Sequence, residues 1–351
     1  MLETHNNSSP EKRENLMKKT SFFLAIGSAL LLSACGGGGG GSGGTTGPVQ
    51  VSTLSPITAS NSNKVAANAY IATSAISDPS SSLNDVLTGV SISRANISVV
   101  TPVLKQVKRA YMRDTAQLLT GVSISEACTG GGSITVEANL RNQQTVSNGD
   151  SIVMLANRCV EDGEMMNGTL RATFSNVTGD VLNSWVWSGT LDTRYDNFSV
   201  SSGTDTINVN GDMKIAITQT SPSNSSLTVT GTSLQASEQR SGTTVATRTL
   251  SDFTLSSTTS GSMVTSAASF AMSGNTSGLG QFSYSVRNIQ PFVTIGASMP
   301  SSGALIVNGA SSSVTLTAVS SATVRLDLSD KASGAITQST TMSWLDLVLS
   351  M

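Results

Sequence analysis

The chain is short of the residues that most often carry chemistry. Its 351 residues include one histidine, His5, with only 12% charged and 4% aromatic residues and a formal net charge of −2. Once the N-terminal stretch is removed on export, as argued below, the mature chain has no histidine. That excludes the Ser-His-Asp and Cys-His nucleophile arrangements, histidine-ligated zinc, and the commonest general base near neutral pH. Any catalysis would rest on carboxylates, lysine or tyrosine. The sparse, balanced charge offers no strong cationic field, so no nucleic-acid partner is expected. Few aromatics, 32 glycines and many Ser, Thr and Asn residues favour β-structure over one thick globular core.

What is present begins with an export signal. Lys18 and Lys19 precede an apolar run from Phe22 to Leu32, shorter than the roughly 20 residues a membrane span needs and fitting a signal-peptide core. Leu32-Ser33-Ala34-Cys35 resembles the bacterial lipobox. The resemblance implies a diacylglyceryl group on the Cys35 thiol, cleavage before Cys35, and a fatty acyl group such as palmitate on the new amino terminus. Two or more chains hold a protein stably, each buried CH₂ contributing about 0.8 kcal/mol. The alternative is an ordinary secretory peptide followed by a free cysteine. Gly36 stands where an aspartate would imply retention at the inner membrane, so the resemblance implies the outer membrane. Residues 1–16 are polar and unlike a signal, and Met17 makes the more conventional start.

The expected organisation is a signal peptide over 1–34, the lipidated cysteine and a tether over 35–62, a helical segment over 63–127, and a β-rich body over 128–351. The glycine-rich run after Cys35 behaves as a coil whose reach grows as about 5–6 Å times the square root of its length. No Walker lysine accompanies it, so it is not a phosphate loop. Alanines over 63–77 predict a helix, with Asn61 or Ser62 as its cap. A second helix is expected from Ser98 to Leu119, its apolar stripe running through Val100, Val103, Leu104, Val107, Ala110 and Tyr111. Lys105, Lys108, Arg109 and Arg113 lie off that stripe, as a solvated face or a contact for anionic lipid heads. The string LTGVSIS occurs at 87–93 and 119–125, too few copies for a solenoid.

From Cys128 onward, twelve segments show period-two alternation or β-branched enrichment: 133–140, 151–158, 168–175, 184–191, 206–220, 226–234, 244–256, 266–273, 281–288, 304–310, 313–320 and 322–329. Asn148-Gly149-Asp150, Asp162-Gly163, Asn210-Gly211 and Asn308-Gly309 read as turn signals separating or breaking them. The fold class expected is mainly β, an antiparallel meander forming a curved sheet, sandwich or open barrel, with a short helical segment near the N-terminus. Helices of the kind that a parallel sheet interleaves are missing.

With Cys35 lipidated, Cys128 and Cys159 remain as an even pair in an oxidising compartment, read as a disulfide. Cys128 to Val136, Asn148-Gly149-Asp150, Ala156 to Cys159, Met166 to Leu170 and Pro300 to Ala310 also resemble patterns in uncharacterised proteobacterial envelope proteins. That resemblance implies a single β unit and assigns no activity.

Other groups invite chemistry and also have plainer readings. Glu161, Asp162 and Glu164 around Gly163 have the oxygen ligands of a Ca²⁺ loop, but also the composition of a turn. Asp327 and Asp330 lack the alternating spacing of a calcium loop. Asp180, Asp192, Asp196, Asp205 and Asp212 include no distinguishable glycosidase pair. Trp185 and Trp187 suit a sugar platform, or a structural role. No catalytic, metal-binding or cofactor residue is assigned. The expected function is a non-enzymatic, outer-membrane-anchored lipoprotein with a structural or binding role. Its partners are the membrane, through the lipid, and lipid or envelope proteins. One alternative is a carrier resembling lipid chaperones, its cavity lined by Met154, Leu170, Phe174, Trp185, Trp187 and Phe198. Another is a carboxylate-dependent hydrolase of envelope glycans.

Overall fold

The structure is a computed structural model. It describes residues 53–74, 122–142, 145–161, 163–181, 184–296 and 298–350. The expected signal peptide, Cys35, the expected tether as far as residue 52 and the expected helix over 98–119 lie outside the described residues. What is described belongs to one compact unit, Val51–Met351.

The body is a single 14-stranded antiparallel sheet in which every strand pairs with the next in sequence. After the helix α1 (Ser62–Ser74) come β1 (Val122–Ala127), β2 (Ser133–Asn139), β3 (Ser151–Glu161), β4 (Glu164–Gly179), β5 (Trp187–Ser202), β6 (Asp205–Ser221) and β7 (Asn224–Arg240). Then follow β8 (Thr243–Ser260), β9 (Met263–Thr276), β10 (Gly280–Ile295), β11 (Ser302–Asn308), β12 (Ser312–Ala318), β13 (Thr323–Asp330), β14 (Ile336–Ser343) and the short helix α2 (Trp344–Leu349). The expected antiparallel meander is present, and all twelve segments fall on β2 to β13 in order. Three elements correct the expected boundaries. β1 lies inside the span expected to be helical, and β14 and α2 follow the last expected strand. Both unexpected strands form edges of the sheet, and β14 is exposed along most of its length.

Alternation along β2 to β13 buries one face. Leu191, Thr193 and Tyr195 are buried on β5, Leu227 and Val229 on β7, and Phe253 and Leu255 on β8. The opposite face is covered with Ser, Thr and Asn, linked across strands by pairs such as Thr178–Ser188 at 2.7 Å and Ser201–Thr206 at 2.8 Å. The described helices contact only part of the buried face, while its apolar residues form one continuous core cluster. The sheet must therefore curl so that its inner face covers itself.

A line of ladder irregularities across β3 to β10 provides the bend. It passes through Arg158, Gly168, Asn197, Gly211 and Asp252, all at positive φ, and on to a shift between Arg287 and Phe292. Each bulge adds residues to one strand and increases the local twist. Neighbouring asparagines satisfy backbone N–H groups along this line. The Asn210 side chain accepts from the Asn197 N–H at 2.6 Å, and Asn288 from the Ala268 N–H at 2.8 Å. Asn210-Gly211, expected as a turn, is therefore a bulge inside β6. The chemistry is that of a turn, a positive-φ glycine beside an amide side chain. Here the ladder resumes on both sides.

α1 is buried almost all round, Val65, Ala66, Ala67 and Ala69 having no exposed area. Such a helix belongs in an interior, and its alanines let the sheet approach closely. Lys64 reaches Gly278 in the β9–β10 turn, while Tyr70 packs on Phe292 and Trp344. The helix thus runs along the inside of the sheet from one end to the other. The incoming chain joins at the first end, where the Ser55 carbonyl accepts from the Ala310 N–H at 3.0 Å and Ser312 bonds Ile57. The described chain begins at this end. Gly309 has no room for a side chain there, since a Cβ would lie 2.6 Å from the Ser55 carbonyl. Most exposed large apolar side chains, including Trp185, Val186, Ile295, Val319, Leu345 and Leu349, lie at the other end.

Candidate functional site

The inward register of β7 reads Leu234, Ala236, Glu238, and that of β8 reads Ala246, Arg248, Leu250. Two charges thus occupy positions where alternation calls for apolar residues. Glu238 is 4% exposed and Arg248 8%. Charges buried this far need partners. One Glu238 oxygen lies 3.3 Å from Arg240 Nη2, and the other 3.7 Å from Arg248 Nη1. Arg248 Nε donates to Asn68 Oδ1 of α1 at 3.3 Å, and Asn68 Nδ2 donates to the Lys64 carbonyl at 3.0 Å. Lys64 Nζ donates to the Gly278 carbonyl at 3.2 Å.

These groups line a cleft of about 130 Å³ between α1, β7, β8 and the β9–β10 turn, at the end where the described chain begins. Among the described residues, its charged lining residues are Lys64, Glu238, Arg240 and Arg248. Sequence reading singled out none of them. The available signal was positional, each buried charge standing in phase with apolar neighbours.

The expected disulfide is present, with Cys128 and Cys159 Cα atoms 5.4 Å apart and a separation of 31 positions in sequence. It ties the β1–β2 connection to the end of β3, and closing a loop of this size contributes about 3–4 kcal/mol in the chain-entropy account. The two sulfurs and a Glu161 carboxylate oxygen lie within 4.8 Å of one another. Joined in a disulfide, the sulfurs are not thiolates, the form that binds metal. The Glu161 carboxylate accepts from the Thr129 N–H and hydroxyl at 3.1 and 3.0 Å. Asp162 lies outside the described residues.

The remaining candidates are placed apart. Asp330 accepts from the Ala332 and Ser333 N–H groups and the Ser333 hydroxyl, and these bonds lower its pKa. Asp327 accepts from Arg325 Nε at 2.8 Å and from the Ser339 hydroxyl at 2.6 Å. Asp192 faces Lys214 at 3.2 Å, and Asp196 lies near Arg171 and Arg194 on the solvent face. Asp212 accepts from Thr232, and Thr204 donates to Asp205. Trp187 is buried, its Nε1 donating to Gln219 at 3.1 Å, whereas Trp185 is 58% exposed in the turn ahead of β5. The two therefore make no common platform. The strand expected from Ser184 starts at Trp187, because Ser184 N–H bonds back to the Asp180 carbonyl.

No protein family, curated protein or solved structure matches the chain.

Proposed function

We infer that this chain is an exported lipoprotein, held in the outer membrane by lipid on Cys35, whose β body is a rigid binding or structural module without enzymatic activity. The observation that carries the reading of the body is the close packing, among the described residues, around the side chains expected to line a carrier. Met154, Leu170, Trp187 and Phe198, from the lining expected of a carrier, are buried in the continuous core, and α1 occupies space inside the curl. The apolar space beside Phe174, Trp187, Leu191 and Ile217 measures about 10 Å³. That is scarcely enough for one water, so an acyl chain does not fit there. Among the carboxylates considered for a hydrolase, Asp192 and Asp196 face cations on the solvent side.

The anchoring is tested by feeding cells an alkyne-tagged palmitate and comparing the full chain with C35S. Label and membrane association are expected in the first and lost in the second; label that survives the substitution overturns the assignment of Cys35. The full-length C35S protein, purified without detergent, should give a native mass free of lipid. A bound lipid would restore the carrier reading.

A further inference from the structure

We propose that the rim of the sheet opposite the end where the described chain begins docks on a lipid surface, with α2 and Trp185 entering the bilayer interface. Eight of the eleven exposed large apolar side chains among the described residues lie on this rim, whereas the connections at the opposite end contribute one, Ile336. Single exposed apolar residues scattered over a surface need no explanation. Concentration at one end does.

Met263, Ile295, Met299 and Val319 come from the β8–β9, β10–β11 and β12–β13 connections, and Leu345 and Leu349 from α2. The two leucines, four positions apart, share the outer face of α2, while Trp344 and Leu347 are buried beneath it. Trp344 gathers these elements into one patch. Its backbone N–H donates to the Ala322 carbonyl at 3.2 Å and its Nε1 to the Ser320 carbonyl at 3.0 Å. Its ring packs on Tyr70, whose hydroxyl donates to the Met299 sulfur. Further along the rim, the β4–β5 connection presents Trp185 and Val186, 58% and 62% exposed.

Shape and charge identify the partner. Neighbouring connections at one end stand two strands, or about 10 Å, apart, so the apolar tips form a broad row and not a groove for a peptide or helix. Residues 260–263, 295–302, 318–323 and 343–350 include no lysine or arginine and one carboxylate, Asp346. A bilayer interface receives separate apolar tips without matching their shape, and it favours tryptophan at headgroup depth. With no cation to draw anionic headgroups, the surface expected is a zwitterionic one, and the binding insensitive to salt. None of this rests on lipidation of Cys35.

Full-length C35S protein is floated with phosphatidylcholine vesicles at low and high salt, and its fluorescence is read against lipid with brominated acyl chains. Binding at both salt concentrations is expected. Quenching should be confined to Trp185, since Trp187 and Trp344 are buried, and W185F should abolish it while still binding. L345S combined with L349S should weaken binding by about tenfold or more, two leucines being withdrawn from the lipid. Both are exposed, so the double variant keeps the fold, and quenching of Trp185 tests insertion without any change to them. L155S removes an exposed leucine from the solvent face of β3 and should change nothing. No binding, binding that requires anionic lipid, or equal losses in L155S and the double variant overturns the proposal. So does self-association that the double variant loses, read by sedimentation velocity, since the rim would then belong to a second copy. Because the protein lacks the Cys35 thiol, failure here leaves the anchoring reading standing, and loss of palmitate labelling would not alter this result.

Discussion

The Asn210 side chain on β6 holds the backbone N–H of Asn197 on β5 at 2.6 Å, at the point where the ladder between the two strands slips. The next residue, Gly211, has φ +124°, and a Cβ there would lie 2.2 Å from the Ser233 carbonyl oxygen on β7. The two residues divide the work of the bulge, one satisfying a displaced donor and the other letting a neighbouring strand approach. N210A should cost about 1 kcal/mol, since water can reach the exposed Asn197 N–H. G211A should cost about 3 kcal/mol or more, as strain and backbone displacement combine. Gly203 at the β5–β6 turn is the control, with positive φ but nothing within 4 Å, and its alanine variant should cost about 1–2 kcal/mol. Urea unfolding midpoints at constant slope report all three; equal costs for G203A and G211A would mean that strand contact is not what demands glycine.

The same pair explains how far the sequence could be read. Alternation identified β2 to β13 because one face of each meets the core. It missed β1, with the sequence VSISEA, whose exposed serines give little apolar contrast, and β14, which is exposed on both sides and has no buried phase to display. Asn-Gly was ambiguous in principle, since a turn and a bulge need the same local conformation. Pairing with strands many residues away decides between them. Glu238 and Arg248 were visible only once their strands had a known inward register.

Tyr70 supplies a second test. Its ring lies 4.6 Å from Trp344 and 5.7 Å from Phe292, while among the described residues its hydroxyl donates to the Met299 sulfur at 3.7 Å. Removing the hydroxyl loses a weak bond, and removing the ring opens a cavity where α1, β10 and α2 meet. Y70F should change stability by less than about 1 kcal/mol, and Y70A should cost about 3–5 kcal/mol. Thermal unfolding followed by tryptophan fluorescence checks this; similar losses in both variants would place the contribution in the hydroxyl.

Ser257 and Thr259 on β8 have buried hydroxyls without hydrogen-bond partners. A buried hydroxyl left unpaired carries a desolvation penalty that the apolar isostere avoids. S257A and T259V should therefore each stabilise the fold, by about 1 kcal/mol. A lowered urea midpoint in both would show that the hydroxyls are satisfied in solution.

Asp330 gives a pH signature. Its hydrogen bonds from Ser333 and Ala332 favour the charged carboxylate, so its folded pKa lies below the ordinary 3.8. A depressed folded pKa stabilises the native state above the unfolded pKa, and this contribution is lost as pH falls through the folded value. D330A should flatten the acid limb of the stability curve below about pH 4 and leave its shape near neutrality unchanged. Side-chain NMR titration reads the pKa directly, and a value at or above the ordinary one would remove the basis for the effect.

The buried charges on β7 and β8 make the most discriminating case. Glu238 and Arg248 face each other at 3.7 Å with side chains 5% and 9% exposed, so removing either takes an ion-pair partner from a charge held in the interior. Breaking such a pair costs about 3–5 kcal/mol, whereas replacing both partners with apolar residues of similar volume is near neutral or stabilising. E238A should therefore be severely destabilised, and E238L combined with R248M should recover most of the loss. The charged pair would then stabilise the fold no better than leucine and methionine. If the double variant is instead as unstable as E238A, the polar contacts through Arg240 and Asn68 stabilise the fold.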